Sequence, residues 1–143
     1  MSDAPATAIL WPAVAMAGLT FLVWVRLYQL RLGEMARKRI GAQALASAAD
    51  SARLLVDTRA SDNFRNLFEL PVLFYAGALL AAQLGVSDGV SLALAWAFVA
   101  LRVVHSLVHC TFNHVMTRFV AYALATLVLI AFWVRLALAM VAA

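Results

Sequence analysis

The sequence predicts an all-α integral membrane protein, a single-domain four-helix bundle with up-down topology and both termini on the non-cytoplasmic side. Of its 143 residues, 66% are hydrophobic and 13% are charged, whereas soluble domains carry about a quarter charged residues. The mean hydropathy is +0.92. Four long apolar stretches follow one another, and the basic residues concentrate in one connection between them. The length suits one domain, covering residues 1–143.

The four apolar stretches predict membrane-spanning helices at residues 6–32, 66–87, 89–113 and 115–141. Residues 4–25 and 70–87 contain no charged side chain. A helix needs about 20 apolar residues to cross the hydrocarbon core, and each stretch is long enough. Inside lipid the backbone must satisfy its own hydrogen bonds, which favours helices. Residues 33–62 are then the one sizeable loop outside the membrane.

The distribution of basic residues predicts the orientation. Eight of them lie between residues 26 and 65, namely Arg26, Arg31, Arg37, Lys38, Arg39, Arg53, Arg59 and Arg65. Because cytoplasmic connections are enriched in lysine and arginine, loop 33–62 is expected to be cytoplasmic and both termini to lie outside. The net charge of +4 follows from this topology and from attraction to anionic lipid. No nucleic-acid partner is predicted.

Polar residues open the second span. Arg59, Asp62, Asn63, Asn66 and Glu69 would fall within about 120° of one helix face. A solvated helix end explains Asp62 and Asn63, but it explains Glu69 less well. Glu69 adjoins a strongly apolar run, and a carboxylate there needs a cationic or hydrogen-bonding partner.

The third span carries a sharper polar stripe, formed by Arg102, His105, Ser106, His109 and Asn113. An arginine near mid-span costs about 3 kcal/mol on insertion scales, so this one should face a bundle interior or a cavity. One interpretation is that the stripe holds helices together, as serine, histidine and asparagine do in membranes. The other is a hydrophilic ligand pocket, which five polar residues including an arginine favour.

The fourth span places Arg118 and Tyr122 one turn apart on one face. Arg118 is expected at the same membrane depth as Asn113, Arg65 and Asn66. Three helices would then present cations, amides and a carboxylate together, a set suited to a small, highly charged molecule arriving from the cytoplasm. Arg135 belongs to the other end of the span, where its side chain is expected to extend to the membrane surface.

Two motifs in these stretches resemble those of the MAPEG family, the membrane-associated proteins of eicosanoid and glutathione metabolism. The residues that carry the resemblance are Arg65, Asn66, Glu69 and Pro71 in the second span, Arg102, His105 and Ser106 in the third, and Arg118 and Tyr122 in the fourth. The likeness covers nearly the whole chain.

The resemblance implies a homotrimer that holds glutathione between adjacent subunits near the cytoplasmic face. Arg118 matches the arginine that stabilises the glutathione thiolate in catalytic members, so it is the expected catalytic residue. Glutathione carries two carboxylates and one ammonium, which need arginines and a carboxylate as partners. The expected glutathione-binding residues are Arg65, Asn66, Glu69, Arg102, His105, His109 and Tyr122.

The function implied is that of a membrane-embedded, glutathione-dependent transferase or peroxidase acting on lipophilic electrophiles that arrive from the bilayer. The compact, alanine- and arginine-rich chain suggests a bacterial inner membrane. His109 stands where several catalytic members have a tyrosine, and Phe119 stands where one branch has a hydroxyl residue. The alternative is therefore a non-catalytic lipid- or partner-binding scaffold of the same family.

Other classes fit the residues less well. His105 and His109 have a spacing that can hold one metal ion, but His114 lies about 180° away around the helix. One helix cannot supply both axial ligands of a haem, and no other span carries a histidine, so no metal site is predicted. Cys110 is expected to be a small buried residue and not a nucleophile. A transporter would need more interrupted helices.

Overall fold

The computed structural model describes residues 5–142, and every element in this range is helical. The helices are α1 (Leu10–Lys38), α2 (Ala48–Leu54), α3 (Arg59–Asn66), α4 (Leu70–Gln83), α5 (Gly89–Cys110) and α6 (Val115–Ala142). Short 3₁₀ turns cover Ala6–Ile9 and Ala42–Leu45. The predicted all-α fold class is confirmed.

Four helical segments are long and apolar enough to cross a membrane, namely Ala6–Lys38, Arg59–Gln83, Gly89–Cys110 and Val115–Ala142. They run alternately up and down as a bundle in which α5 and α6 pack along each other. Large apolar side chains cover the outward faces, where lipid is their natural contact. We call the end of the bundle where α1 and α5 finish and α3 and α6 begin the polar end.

The first helix extends to Lys38, six residues past the end of the span predicted at residue 32. The added segment is rich in good helix formers, which continue the helix beyond the apolar stretch. Arg39 ends it in a left-handed conformation with φ 55°, and its amide donates to the carbonyl of Ala36 (3.3 Å). The following connection contains α2, where the side chain of Ser47 caps the helix by accepting from the amide of Asp50 (3.0 Å).

A break separates α3 from α4. Pro71 is the second residue of α4, and its ring and missing N–H exclude a helical hydrogen bond to the carbonyl of Leu67. The chain therefore leaves the helix over residues 67–69, and Glu69 adopts φ −98° and ψ −104°. The prediction that Glu69 continues the polar face of one unbroken helix was wrong for this reason. Asn63 and Asn66 remain on α3.

Aromatic rings fill the middle of the bundle. Phe74 is fully buried and stacks on Phe98 with ring centroids 4.6 Å apart, while Phe132 lies 6.0 Å from Phe74. Gly77 allows this approach, because a Cβ at its position would lie 3.0 Å from Cε1 of Phe132. Small residues often permit such close helix packing in membranes. The aromatic layer separates the polar end from the opposite end.

An ion pair closes the opposite end. Asp88 caps α5 by accepting from the amides of Val90 (3.0 Å) and Ser91 (3.2 Å), and Arg135 of α6 lies 3.3 Å from its Oδ2. Burial alone would raise the pKa of Asp88, but the hydrogen bonds from Ser91 and the charge of Arg135 outweigh it and the pKa is lowered. Arg135 thus has a protein partner that its sequence position did not reveal.

Candidate functional site

One face of α3 packs against the polar stripe of α5. Asn63 is fully buried; its Oδ1 accepts from the hydroxyl of Ser106 (3.3 Å) and its Nδ2 donates to Sγ of Cys110 (3.4 Å). One turn earlier, Nη1 of Arg59 donates to the backbone carbonyl of Thr111. These contacts join two helices, so this part of the stripe has the structural role that one interpretation of the sequence assigned to it.

Arg102 is fully buried within the bundle. Its Nη2 donates to the carbonyl oxygen of Asn66 (2.8 Å), and its Cζ lies 5.5 Å from the ring centroid of Tyr122. The charge of Glu69 also interacts with it. Nε and Nη1 have no hydrogen-bond partner within residues 5–142. A buried cation with so few partners costs stability, which points to a functional reason for its presence.

Two histidines lie beside this arginine. His105 and His109 are both buried, and their rings meet edge to face with centroids 5.5 Å apart. Nδ1 of His105 donates to the backbone carbonyl of Arg118 (2.9 Å), because a carbonyl can only accept. Nε2 of His105 and Nδ1 of His109 find no partner in the described part of the chain. His105 therefore ties α5 to the first turn of α6, and His109 packs against the His105 ring.

Three charged or polar side chains remain accessible in front of this buried layer. Glu69 is exposed, and Tyr122 and Arg118 are partly exposed. The hydroxyl of Tyr122 donates to Oε2 of Glu69 (3.4 Å), while its ring contacts His105 at 5.8 Å. Glu69 and Tyr122 offer a ligand a carboxylate and a phenol that touch each other, with the Arg102 guanidinium 5.5 Å from the phenol ring, and Arg118 adds a guanidinium one helical turn before Tyr122.

The side chain of Arg118 is held by the connection between α5 and α6. Its Nη1 donates to Oδ1 of Asn113. Asn113 adopts a left-handed conformation with φ 51°, which asparagine tolerates better than most residues, and its amide donates to the carbonyl of Val108 (2.8 Å). Within residues 5–142 one of the five N–H donors of the guanidinium bonds to a protein group, so the others can donate to a ligand.

Arg65 points elsewhere. It is exposed and lines a cavity of about 320 Å³ between α1, α2 and α3, together with Arg31 and Asp62. Within residues 5–142 its side chain forms no hydrogen bond or ion pair with the group around Arg102. Arg65 was not among the five residues predicted to share one face of this helix.

The predicted site residues therefore differ in solvent exposure and in position. Buried at the polar end are Arg102, His105 and His109; accessible beside them are Asn66, Glu69, Arg118 and Tyr122; Arg65 is separate. Arg59, Asn63 and Asn113 were predicted to lie on the polar faces but were not among the residues expected to bind glutathione. The spacing of Arg59, Asn63 and Asn66 by four and three residues was the available signal for their common face.

The histidines do not assemble into a metal site. No group of three or more histidine, cysteine, aspartate or glutamate side chains suited to a metal ion occurs in residues 5–142. His114 is exposed, unlike the other two, and its Nδ1 accepts from the amide of Thr117 (3.3 Å) at the start of α6.

The fold and the site define a multi-pass helical membrane protein. It has a polar cluster at one end, and this cluster is partly buried and partly accessible. The model of the MAPEG family matches residues 9–138 of the 143-residue chain. The chain belongs to the MAPEG family, as the resemblance predicted. Comparison with curated proteins and comparison with solved structures each returned no significant match.

Proposed function

We propose that the protein is a glutathione-dependent transferase or peroxidase that activates the glutathione thiol against lipophilic electrophiles. The observation that supports this most directly is the accessible group of Glu69, Tyr122 and Arg118 in front of the buried cation Arg102. Glutathione presents an ammonium, two carboxylates and a thiol, so it needs both signs of charge within a few ångströms. Membership of the MAPEG family supports the same assignment.

Each accessible group has a role in this proposal. The carboxylate of Glu69 accepts the glutathione ammonium, and the amide of Asn66 orients it. Arg65, which lies apart from this group, binds a glutathione carboxylate at the far end of the ligand. The family resemblance favours a homotrimer, in which an adjacent subunit completes the site. His105 holds α5 against α6 behind the ligand by donating to the backbone carbonyl of Arg118 (2.9 Å), and His109 packs against the His105 ring.

Arg118 is the proposed catalytic residue. A guanidinium beside a thiol stabilises the thiolate, which is the nucleophile. In conjugation the thiolate sulfur forms a bond to an electrophilic carbon, the leaving group departs with the bonding electrons, and the thiol proton passes to water. With a lipid hydroperoxide the thiolate sulfur attacks the terminal oxygen, the O–O bond breaks, and the alkoxide takes up a proton and leaves as the alcohol, so that glutathione becomes its sulfenic acid. A second glutathione then releases glutathione disulfide, so that two thiols yield one disulfide, one alcohol and one water.

Orientation and location complete the proposal. The polar end lies at the cytoplasmic face of a bacterial inner membrane, because basic residues concentrate there between positions 26 and 65. Glutathione then arrives from the cytoplasm and the lipophilic partner from the bilayer.

Calorimetry of glutathione binding to the detergent-purified protein, with the ultraviolet absorbance of the thiolate, tests this function. The wild type should bind and form thiolate, Arg118→Ala should bind without forming thiolate, and the matched control Arg37→Ala, which changes an exposed arginine, should behave as the wild type. Absence of binding at millimolar glutathione would refute the proposal.

A specific observation favours the alternative, a non-catalytic lipid- or partner-binding scaffold. The guanidinium of Arg118 already donates to Asn113, so it also closes the connection between two helices. If that is its whole role, Arg118→Ala will lower the melting temperature in detergent and leave every glutathione signal unchanged.

A further inference from the structure

A chain of contacts links the end of α1 to the connection that precedes α6. It starts at Glu34, which is only 6% exposed. Its Oε1 accepts from the amide of Val56 (3.0 Å) and its Oε2 from the amide of Asp57 (3.4 Å). The ammonium of Lys38 lies 2.6 Å from Oε1. The backbone amides of Val56 and Asp57 are therefore fixed to the last turns of α1.

Asp57 in turn orients Arg59. Its two carboxylate oxygens accept from Nε (2.9 Å) and Nη2 (2.6 Å) of the same guanidinium. Such a bidentate contact fixes the plane of the guanidinium as well as its position. The hydrogen bond from Arg59 lowers the pKa of Asp57, so the carboxylate stays ionised and the pair stays intact near neutral pH.

The remaining nitrogen of Arg59 reaches the far side of the polar end. Nη1 donates to the carbonyl of Thr111, 52 residues further along the chain. Thr111 is the residue at which α5 ends. All three nitrogens of the Arg59 guanidinium are thus engaged within the chain, which makes a direct role in holding a ligand unnecessary to explain this residue.

Thr111 begins the short connection that carries Asn113, and Asn113 accepts from the guanidinium of Arg118. Asn113 lies two residues after Thr111 and its amide donates to the carbonyl of Val108 in α5, so its position depends on how the end of α5 is held. Two backbone bonds report on this connection: the amide of Asn113 donates to Val108 (2.8 Å) and that of Arg118 to His114 (3.1 Å).

We propose that Asp57 and Arg59 are positioning residues for Arg118: they hold the connection over residues 111–114, and through Asn113 they set where the Arg118 guanidinium stands. The loop between α1 and α3 thereby takes part in the reaction without touching its substrates. The expected effect on the glutathione thiolate rests on the proposed function, whereas the expected effect on the backbone of residues 111–118 does not.

Hydrogen exchange without ligand tests the structural consequence. In Arg59→Gln the amides of Asn113 and Arg118 should exchange several-fold faster than in the wild type, because Gln cannot bind both Asp57 and Thr111. The matched control is Arg53→Gln, since the side chain of Arg53 is 79% exposed and lies 4.0 Å from its nearest carboxylate. Unchanged exchange over residues 111–118 in Arg59→Gln would overturn the proposal, whatever glutathione does.

Titration of the thiolate absorbance tests the chemical consequence. Arg59→Gln should raise the apparent pKa of bound glutathione by about one, a tenfold loss of thiolate at a given pH. Its dissociation constant for glutathione should change less than about threefold, well under 1.4 kcal/mol. Arg59→Lys should not rescue the effect, because a single ammonium cannot make the same three contacts.

The double variant decides whether the effect passes through Arg118. Adding Arg59→Gln to Arg118→Ala should raise the thiol pKa no further, whereas additive shifts would mean that Arg59 acts independently and would contradict the proposal. If the wild type forms no thiolate, the proposed function fails. The exchange experiment alone then decides whether Arg59 positions Arg118.

Discussion

Replacing Arg102 by methionine should leave the stability of the fold nearly unchanged. The variant loses the hydrogen bond from Nη2 to Asn66 (2.8 Å) and the contact with the ring of Tyr122 (5.5 Å). A charge-assisted hydrogen bond contributes about 1.5–3 kcal/mol, and a cation over an aromatic ring contributes about 0.5–2 kcal/mol. Methionine keeps a similar length and fills the same buried space.

The same change removes a cost of comparable size. Nε and Nη1 of Arg102 are buried without a partner in residues 5–142, and each unsatisfied donor costs about 1–3 kcal/mol. The two effects nearly cancel, so the free energy of unfolding of Arg102→Met should lie within about 2 kcal/mol of the wild-type value. Breaking a well-paired buried contact would instead cost about 3–5 kcal/mol. If Arg102 serves the ligand, glutathione affinity should instead fall about tenfold, or 1.4 kcal/mol.

Chemical denaturation in detergent, together with calorimetry of glutathione binding, separates these quantities. The contrasting variant is Asn63→Ala, since Asn63 is buried and has partners at both side-chain atoms; it should lose about 1–3 kcal/mol of stability and bind glutathione normally. A loss above about 3 kcal/mol in Arg102→Met, with normal binding, would refute the reasoning. Arg102 would then be a structural contact between α3 and α5.

Two further variants test the packing and the opposite end. Gly77→Val should lower the free energy of unfolding by about 1–3 kcal/mol, because even a Cβ at this position lies 3.0 Å from Phe132. The control is Gly18→Val, which should leave the melting temperature unchanged because a Cβ at Gly18 meets nothing within 4 Å. Asp88→Asn removes the pair with Arg135 and should cost up to about 1 kcal/mol. The pKa of Asp88 is lowered, so its stabilisation is complete above about pH 3.9 and is lost as the pH falls further. The melting temperatures of the wild type and of Asp88→Asn should therefore converge in acid. A difference that persists there would exclude the ion pair as the cause of the lower stability of the variant.

The membrane-spanning part of the fold could be predicted because lipid leaves few choices. A backbone in hydrocarbon must form helices of a length set by the bilayer, so a count of apolar residues suffices. The break before α4 was harder, although its cause is local. Pro71 was visible, but helical spacing alone carried the polar face through Glu69 as if the helix were continuous.

The candidate site was only partly predictable, since spacing defines a face but not its partner. The stripe of α5 predicted that Arg102 and His105 lie together, and they do. It did not show that Asn63 of α3 forms hydrogen bonds with Ser106 and Cys110 of α5, nor that Arg59 donates to the carbonyl of Thr111. Those contacts join residues 43 to 52 positions apart, and no local pattern specifies them.

The break at Pro71 also bears on how the chain is assembled in the membrane. In an unbroken helix the carbonyl of Asn66 would accept the amide of Leu70, whereas here it accepts from Arg102. Asn66 precedes Arg102 by 36 residues in the chain, so translation produces the acceptor carbonyl before the arginine that donates to it. The carbonyl that accepts from Arg102 is therefore synthesised before α5, and the break before Pro71 is what keeps this carbonyl outside the helical hydrogen-bond pattern.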